Sequence, residues 1–111
     1  MSLDVDVRPP RCPHCDHAPT GISENITYNV APIYYPVMRA IGVRGGLRGL
    51  DGRRVGDVDA DGALDFLRRH EARLREREPE SGWGGVRCVY RVLRMLSKAA
   101  ADMPDAIVEV S

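Results

Sequence analysis

The chain has few aromatic residues: one tryptophan, one phenylalanine and four tyrosines make up 5% of 111 residues. Aliphatic side chains must therefore fill its interior. It also lacks an excess of either charge, because 16 basic residues cancel 16 acidic ones. That balance removes the global electrostatic argument for nucleic acid or an acidic membrane surface as a partner. Lysine is nearly missing, since all but one of the basic residues are arginine. No charged-then-apolar leader opens the chain, and no apolar run approaches the roughly 20 residues that a membrane helix needs. We expect a soluble cytoplasmic protein that is not exported, and without export the sequon Asn25-Ile26-Thr27 carries no meaning. Cysteine is scarce and odd in number, at three with two close together. This pattern suits a reducing compartment and metal chemistry better than a disulfide framework. Histidines number three, two of them beside that cysteine pair, which leaves little for general acid–base work. No Ser–His–Asp or Cys–His nucleophile set, catalytic carboxylate pair or phosphate-cradling glycine motif stands out, so no catalytic residue is assigned.

What is present is enough for one domain, residues 1–111, with 43% hydrophobic content and a core burying roughly two-thirds of the unfolded surface. Leu3-Asp4-Val5-Asp6-Val7 alternates apolar and charged residues and reads as a half-buried strand ended by Pro9-Pro10. Alternation returns from Ile22 to Tyr28, so the two strands form a hairpin with Arg11–Thr20 at its tip. A helix follows, with Asn29 as N-cap, Pro32 in the first turn and Ile33, Val37 and Ile41 as its buried stripe. Pro36 removes a bond to the carbonyl of residue 32 and should kink or shorten this helix, and Gly42 should stop it. The glycine- and arginine-rich stretch from Arg44 to Arg54 reads as a mobile loop. A second helix is expected from about Gly62 to Glu78, buried through Leu64, Leu67, His70 or Glu71, and Leu74. The third, from Val86 to about Asp102, has the cleanest apolar pattern, stepping by three and four through Val86, Val89, Leu93 and Leu96. A last strand spans Ala106 to Val110. The expected fold is α+β: a small antiparallel sheet of about three strands packed by three helices, in the order ββαααβ.

The strongest chemical signal is Cys12-Pro13-His14-Cys15 with His17 two residues on. Two thiolates spaced C-x-x-C grip one tetrahedral ion, His17 could supply a third ligand, and the fourth would be His14, His70, Cys88, a water or another subunit, zinc being the first choice. The second half of a zinc motif is missing, so a surface turn with two free thiols stands beside this reading. Asp57, Asp59, Asp61, Gly62 and Asp65 approach a calcium loop, but its twelfth position is Arg68, a cation where the loop needs its strongest anion. An acidic helix N-terminus is the better reading. Ser23, Asn25, Thr27 and Asn29 alternate and would line one strand face, giving hydrogen-bonding groups without a strong base. The competing reading is a solvated exterior with Asn29 as a cap. Arg87, Arg91, Arg94 and Lys98 form a basic row on the third helix, either its solvated face or a contact for phosphate. Trp83, in the turn Ser81-Gly82-Trp83-Gly84-Gly85, is read as a core lid, with a stacking platform as its other role.

The segments CPHCDH, SENITYN with APIYY just after it, the GWG turn and the ending PDAIVEVS run in that order over nearly the whole chain. On these motifs the chain resembles a group of small proteins from actinobacterial and other bacterial genomes and their phages. The resemblance implies a shared small α/β domain and no particular activity. Some members lack the cysteine pair while keeping the Asn-Ile-Thr-x-Asn segment, which implies that the clip is dispensable and the polar segment is nearer the shared role. Ser81 before GWG, where asparagine is frequent, and Pro36 depart from the group's pattern. The expected function is a non-catalytic binding module clipped by one metal. It would bind a small polar ligand or a host protein through Ser23, Asn25, Thr27 and Asn29, with Trp83, Arg87 and Arg91. A phage-borne module of this kind would act on a host pathway, for instance by sequestering a nucleotide signal. Two alternatives are a zinc-dependent hydrolase with an open metal position and a structural subunit that forms homo-oligomers.

Overall fold

The structure is a computed structural model that describes residues 2–10, 21–27, 30–79 and 84–111. Strand β1 (Ser2–Arg8) lies at the centre of a three-stranded sheet ordered β2-β1-β3, with β2 at Ile22–Thr27 and β3 at Ile107–Val110. Both neighbours run antiparallel to it, pairing Leu3 with Ile26 and Val7 with Ile22 on one side, and Val7 with Val108 on the other. The alternation read from sequence sets the two faces. Leu3, Val5, Val7, Ile26 and Val108 are buried, whereas Asp4, Arg8, Ser23 and Asn25 are exposed on the opposite face.

Helices cover the apolar face. Helix α1 (Ala31–Ala40) buries Ile33, Tyr34, Val37 and Met38 and ends two residues before Gly42. Pro36 sits inside it without breaking it. The carbonyl that Pro36 leaves without its usual amide is that of Pro32, and Arg77 Nη1 donates to that oxygen at 3.3 Å. A guanidinium from elsewhere in the chain thus replaces the bond the proline removes.

The second helix is split where one continuous helix is expected. Helix α2 (Ala60–Arg69) stops at His70, whose φ of −111° and ψ of 13° leave helical geometry, and α3 (Glu71–Arg75) follows and buries Leu74. The buried stripe Ala63, Leu64, Leu67 and Leu74 has no apolar residue at its middle turn, where His70 and Glu71 are only half-buried. That turn is where the backbone leaves helical geometry. Helix α4 (Val86–Asp102) follows its expected bounds and is the spine of the core, burying Val86, Val89, Val92, Leu93, Leu96 and Ala99. At about 1.5–3 kcal/mol for each large apolar side chain, this face is a main source of stability.

The arginine- and glycine-rich stretch is not the open loop expected. It makes two 3-10 turns, Gly46–Leu50 and Val55–Asp57, pinned by buried Leu47, Leu50 and Val55. Between them the chain lies along β3. Gly52 N–H donates to Val108 O, and Val108 N–H donates to Arg53 O, each at 2.8 Å. The Asp51 carboxylate accepts from Val110 N–H at 2.9 Å. The outer edge of β3 is thereby covered.

Candidate functional site

Helix α4 turns its polar side toward the α2–α3 bend. Residues spaced by three and four share a helix face, so Arg87, Arg91 and Arg94 stand in one row. The bend after Arg69 sets Arg68 and Glu71 opposite that row. The result is an open groove of about 720 Å³ lined by Arg68, Glu71, Arg87, Cys88, Tyr90, Arg91 and Arg94. Four guanidiniums thus face one lining carboxylate.

Several of these groups are held in place. Arg91 Nε lies 3.0 Å from Glu24 Oε2. Glu24 is half-buried and, by strand alternation, shares the helix-facing side of β2 with Ile22 and Ile26. The Arg94 guanidinium sits 5.2 Å from the Tyr90 ring centre, a cation–π contact worth about 0.5–1 kcal/mol at an exposed site. Burial raises the Tyr90 pKa above the ordinary tyrosine value, and the hydrogen bond to the Glu71 carboxylate and that group's charge raise it further. At neutral pH the Tyr90 hydroxyl is therefore protonated and gives its hydrogen to Glu71.

The N-terminal end of α4 closes the groove. Glu78 Oε1 accepts the Val86 N–H at 3.1 Å, placing a carboxylate where the helix dipole favours one. A smaller hollow of about 250 Å³ lies beside it, lined in part by Gly84 and Gly85, and shares Arg87 and Cys88 with the groove. Thr27 reaches this end: its Oγ1 is buried and has no hydrogen-bond partner among the described residues. Gly84 has φ +80°, and a Cβ there would fall 2.7 Å from that oxygen. A glycine is what lets the chain pass over Thr27 into the helix.

The sequence-derived candidates do not all converge. Arg87 and Arg91 share the groove, and Thr27 lies by its end. Ser23 and Asn25 sit on the other face of the sheet, where Asn25 Nδ2 donates to Asp4 Oδ1 at 2.7 Å. Asn29, Trp83 and the proposed metal ligands Cys12, His14, Cys15 and His17 lie outside the described residues. Among the described residues, no group of three or more His, Cys, Asp or Glu side chains could hold a metal ion.

The acidic run before α2 has the local role expected of it. Asp59 Oδ1 caps the helix by accepting from Gly62 N–H at 2.9 Å, and Asp61 Oδ1 accepts from Ser97 Oγ at 2.6 Å. Asp65 pairs with Arg69, whose hydrogen bond and charge hold its carboxyl below the ordinary value. Arg68, at the position that spoils the calcium reading, is one of the groove's guanidiniums. Tyr90 and Glu71 were not found from sequence, because neither belongs to a motif and only the helix bend brings them together.

Comparison with known proteins adds no relative. No protein-family model matches the chain, and neither does any curated protein or solved structure. Among the described residues, no helix is long and apolar enough to cross a membrane. The functional reading therefore rests on the groove's own chemistry.

Proposed function

We propose that the protein is a non-catalytic binding module whose α4 groove takes a small polar ligand through a phosphate or similar anionic group, a nucleotide being the leading class. The observation that carries this reading is the convergence of Arg68, Arg87, Arg91 and Arg94 on one groove with Glu71 as its lining carboxylate. Guanidiniums bind phosphate through paired, planar N–H donors, and those held in place beforehand lose less freedom on binding. The single Tyr90 O–H hydrogen goes to Glu71, so Tyr90 holds that carboxylate at the groove wall. Among the described residues lining the groove, the Cys88 thiol has no hydrogen-bonded base, which favours capture over turnover. A structural zinc at Cys12, His14, Cys15 and His17 remains part of the reading, as a clip on the β1–β2 connection. So does an origin in phage or other mobile elements.

The test is calorimetric titration of the full chain with pyrophosphate and with ADP at low salt, using a neutral nucleoside as control. Arg87→Ala should weaken pyrophosphate binding about tenfold, the loss of one charge-assisted contact of about 1.4 kcal/mol, without lowering the melting temperature. Asn25→Ala should leave binding unchanged. Equal affinity for the neutral nucleoside, or no response to Arg87→Ala and Arg68→Ala, would overturn the groove as the site. Loss of binding in folded Asn25→Ala would move it to the polar face of the sheet.

A further inference from the structure

On the far side of α2 from the groove, the molecule has a second cationic surface with a different character. Tyr35 on α1 is 41% exposed, one of the few large apolar side chains left open to solvent. On one side of it is a hollow of about 540 Å³, with Pro32, Pro36 and Phe66 among its walls and Arg39 and Arg77 also lining it. On the other is a hollow of about 450 Å³ that shares Tyr35 and Arg39 and adds Arg44 and the Gly45–Gly46 backbone. Among the described residues, no acidic side chain lines either hollow. Among the described residues, no carboxylate pairs with Arg39, Arg44 or Arg77.

The aromatic rings here are backed by other rings. Tyr35 stacks on the buried Tyr34, with centroids 5.2 Å apart and planes 20° from parallel. Gly46 closes in on this pair: a Cβ there would lie 2.8 Å from the Tyr34 ring and 3.0 Å from the Tyr35 ring. The open area of Tyr35 therefore lies on the side turned away from Tyr34. Phe66 is backed by His70 at a centroid distance of 4.4 Å, with the two rings tilted 41° from parallel. The trough thus combines π-surfaces backed by other rings, arginines at three separate positions and, among the described residues, no competing anion. Flat rings joined by regularly spaced negative charges match that combination, and one nucleotide would occupy only one of the two hollows.

We propose that the Tyr35 trough is a binding site for a short stretch of single-stranded nucleic acid, with bases stacking on Tyr35 and Phe66 and phosphates meeting Arg39, Arg44 and Arg77. The chain's zero net charge does not oppose this, because no carboxylate among the described residues lines the trough. Backbone contacts of this kind release counterions, and stacking is tolerant of sequence. Binding should therefore be salt-dependent and weakly selective among bases.

Fluorescence anisotropy of the full chain with end-labelled octathymidylate tests the proposal, with thymidine monophosphate and octaglutamate as competitors. Saturable binding is expected, and log K should fall with log salt at a slope of about −2 for three phosphate contacts. Tyr35→Ala should weaken binding about tenfold while Tyr35→Phe retains it. Arg39→Glu should weaken binding at least as much as Tyr35→Ala, and Arg39→Ala should make the slope shallower by about 0.7. Arg73→Ala, which removes an exposed charge lining neither the trough nor the groove, should leave binding unchanged. If Tyr35→Ala does not fold, exposed Arg39→Glu and the slope decide the matter. No saturable binding at low salt would overturn the proposal. So would wild-type affinity in Arg39→Glu, or displacement by octaglutamate as effective as by unlabelled octathymidylate, which would make the occupant an acidic peptide.

Discussion

The α4 groove and the Tyr35 trough are both lined by arginine, yet they differ in what holds the arginines. In the groove, Arg91 leans on Glu24 and Arg94 on the Tyr90 ring, with Tyr90 bonded to Glu71, while Arg68 and Arg87 have no ion-pair partner among the described residues. In the trough, Arg39 and Arg44 have no carboxylate partner among the described residues, and Arg77 spends one N–H on the Pro32 carbonyl. Held guanidiniums favour a ligand of one shape. Unanswered ones favour a diffuse, salt-sensitive attraction that tolerates many shapes. Composition alone hides this contrast, since it depends on where the acidic residues fall and not on how many there are.

The largest test of that contrast strikes the scaffold the groove stands on. Leu93 is fully buried on α4, and Leu93→Ala should cost about 2–5 kcal/mol in denaturant unfolding. Pyrophosphate binding should weaken with it, whereas the trough, built mainly on α1, should hold its oligonucleotide at temperatures where the variant is still folded. A smaller effect is expected from a double-mutant cycle between Glu24 and Arg91. Their partly exposed pair should show a coupling of about 0.2–1 kcal/mol, while Arg39→Glu should change stability by no more than about 0.5 kcal/mol. A large stability change in Arg39→Glu would mean that the trough arginines are also anchored, and the contrast would fail. The finest test is spectroscopic. Tyr90 keeps its proton above the ordinary tyrosine pKa of about 10, so alkaline absorbance titration should show a late tyrosine that Tyr90→Phe removes. The raised folded-state value means that its stabilising contribution is complete below the unfolded pKa. That contribution is lost as pH climbs through the folded one.

Much of the fold could be read from period and punctuation. The two-residue alternation of β1, the three-four stepping of α4 and the turn at Pro104-Asp105 each correspond to an observed element. Local pattern failed where long-range contact decides the outcome. His70 and Glu71 leave a gap in an apolar stripe, and sequence gives no sign that the helix divides there. Leu47, Leu50 and Val55 were hidden among glycines and arginines, so a packed arm read as a mobile loop. Pro36 was correctly seen to orphan the Pro32 carbonyl, but Arg77 lies 45 positions from that oxygen along the chain. For the candidate site, Arg87 and Arg91 were visible as a row. Arg68 was visible only as the residue that spoiled another motif. The polar row of β2 kept its shared face, but that face looks away from α4, apart from Thr27 at its end.

The arm that lies along β3 also limits how copies of this chain can join. A sheet grows into a fibre only if both of its edges can accept a further strand. Here the edge beyond β3 is occupied by Gly52–Arg54 and by the Asp51 carboxylate on Val110 N–H. Among the described residues, strand addition can therefore proceed only from the β2 side, and two chains meeting there would use up the one edge each has to offer. Assembly through the sheet would stop at a closed pair.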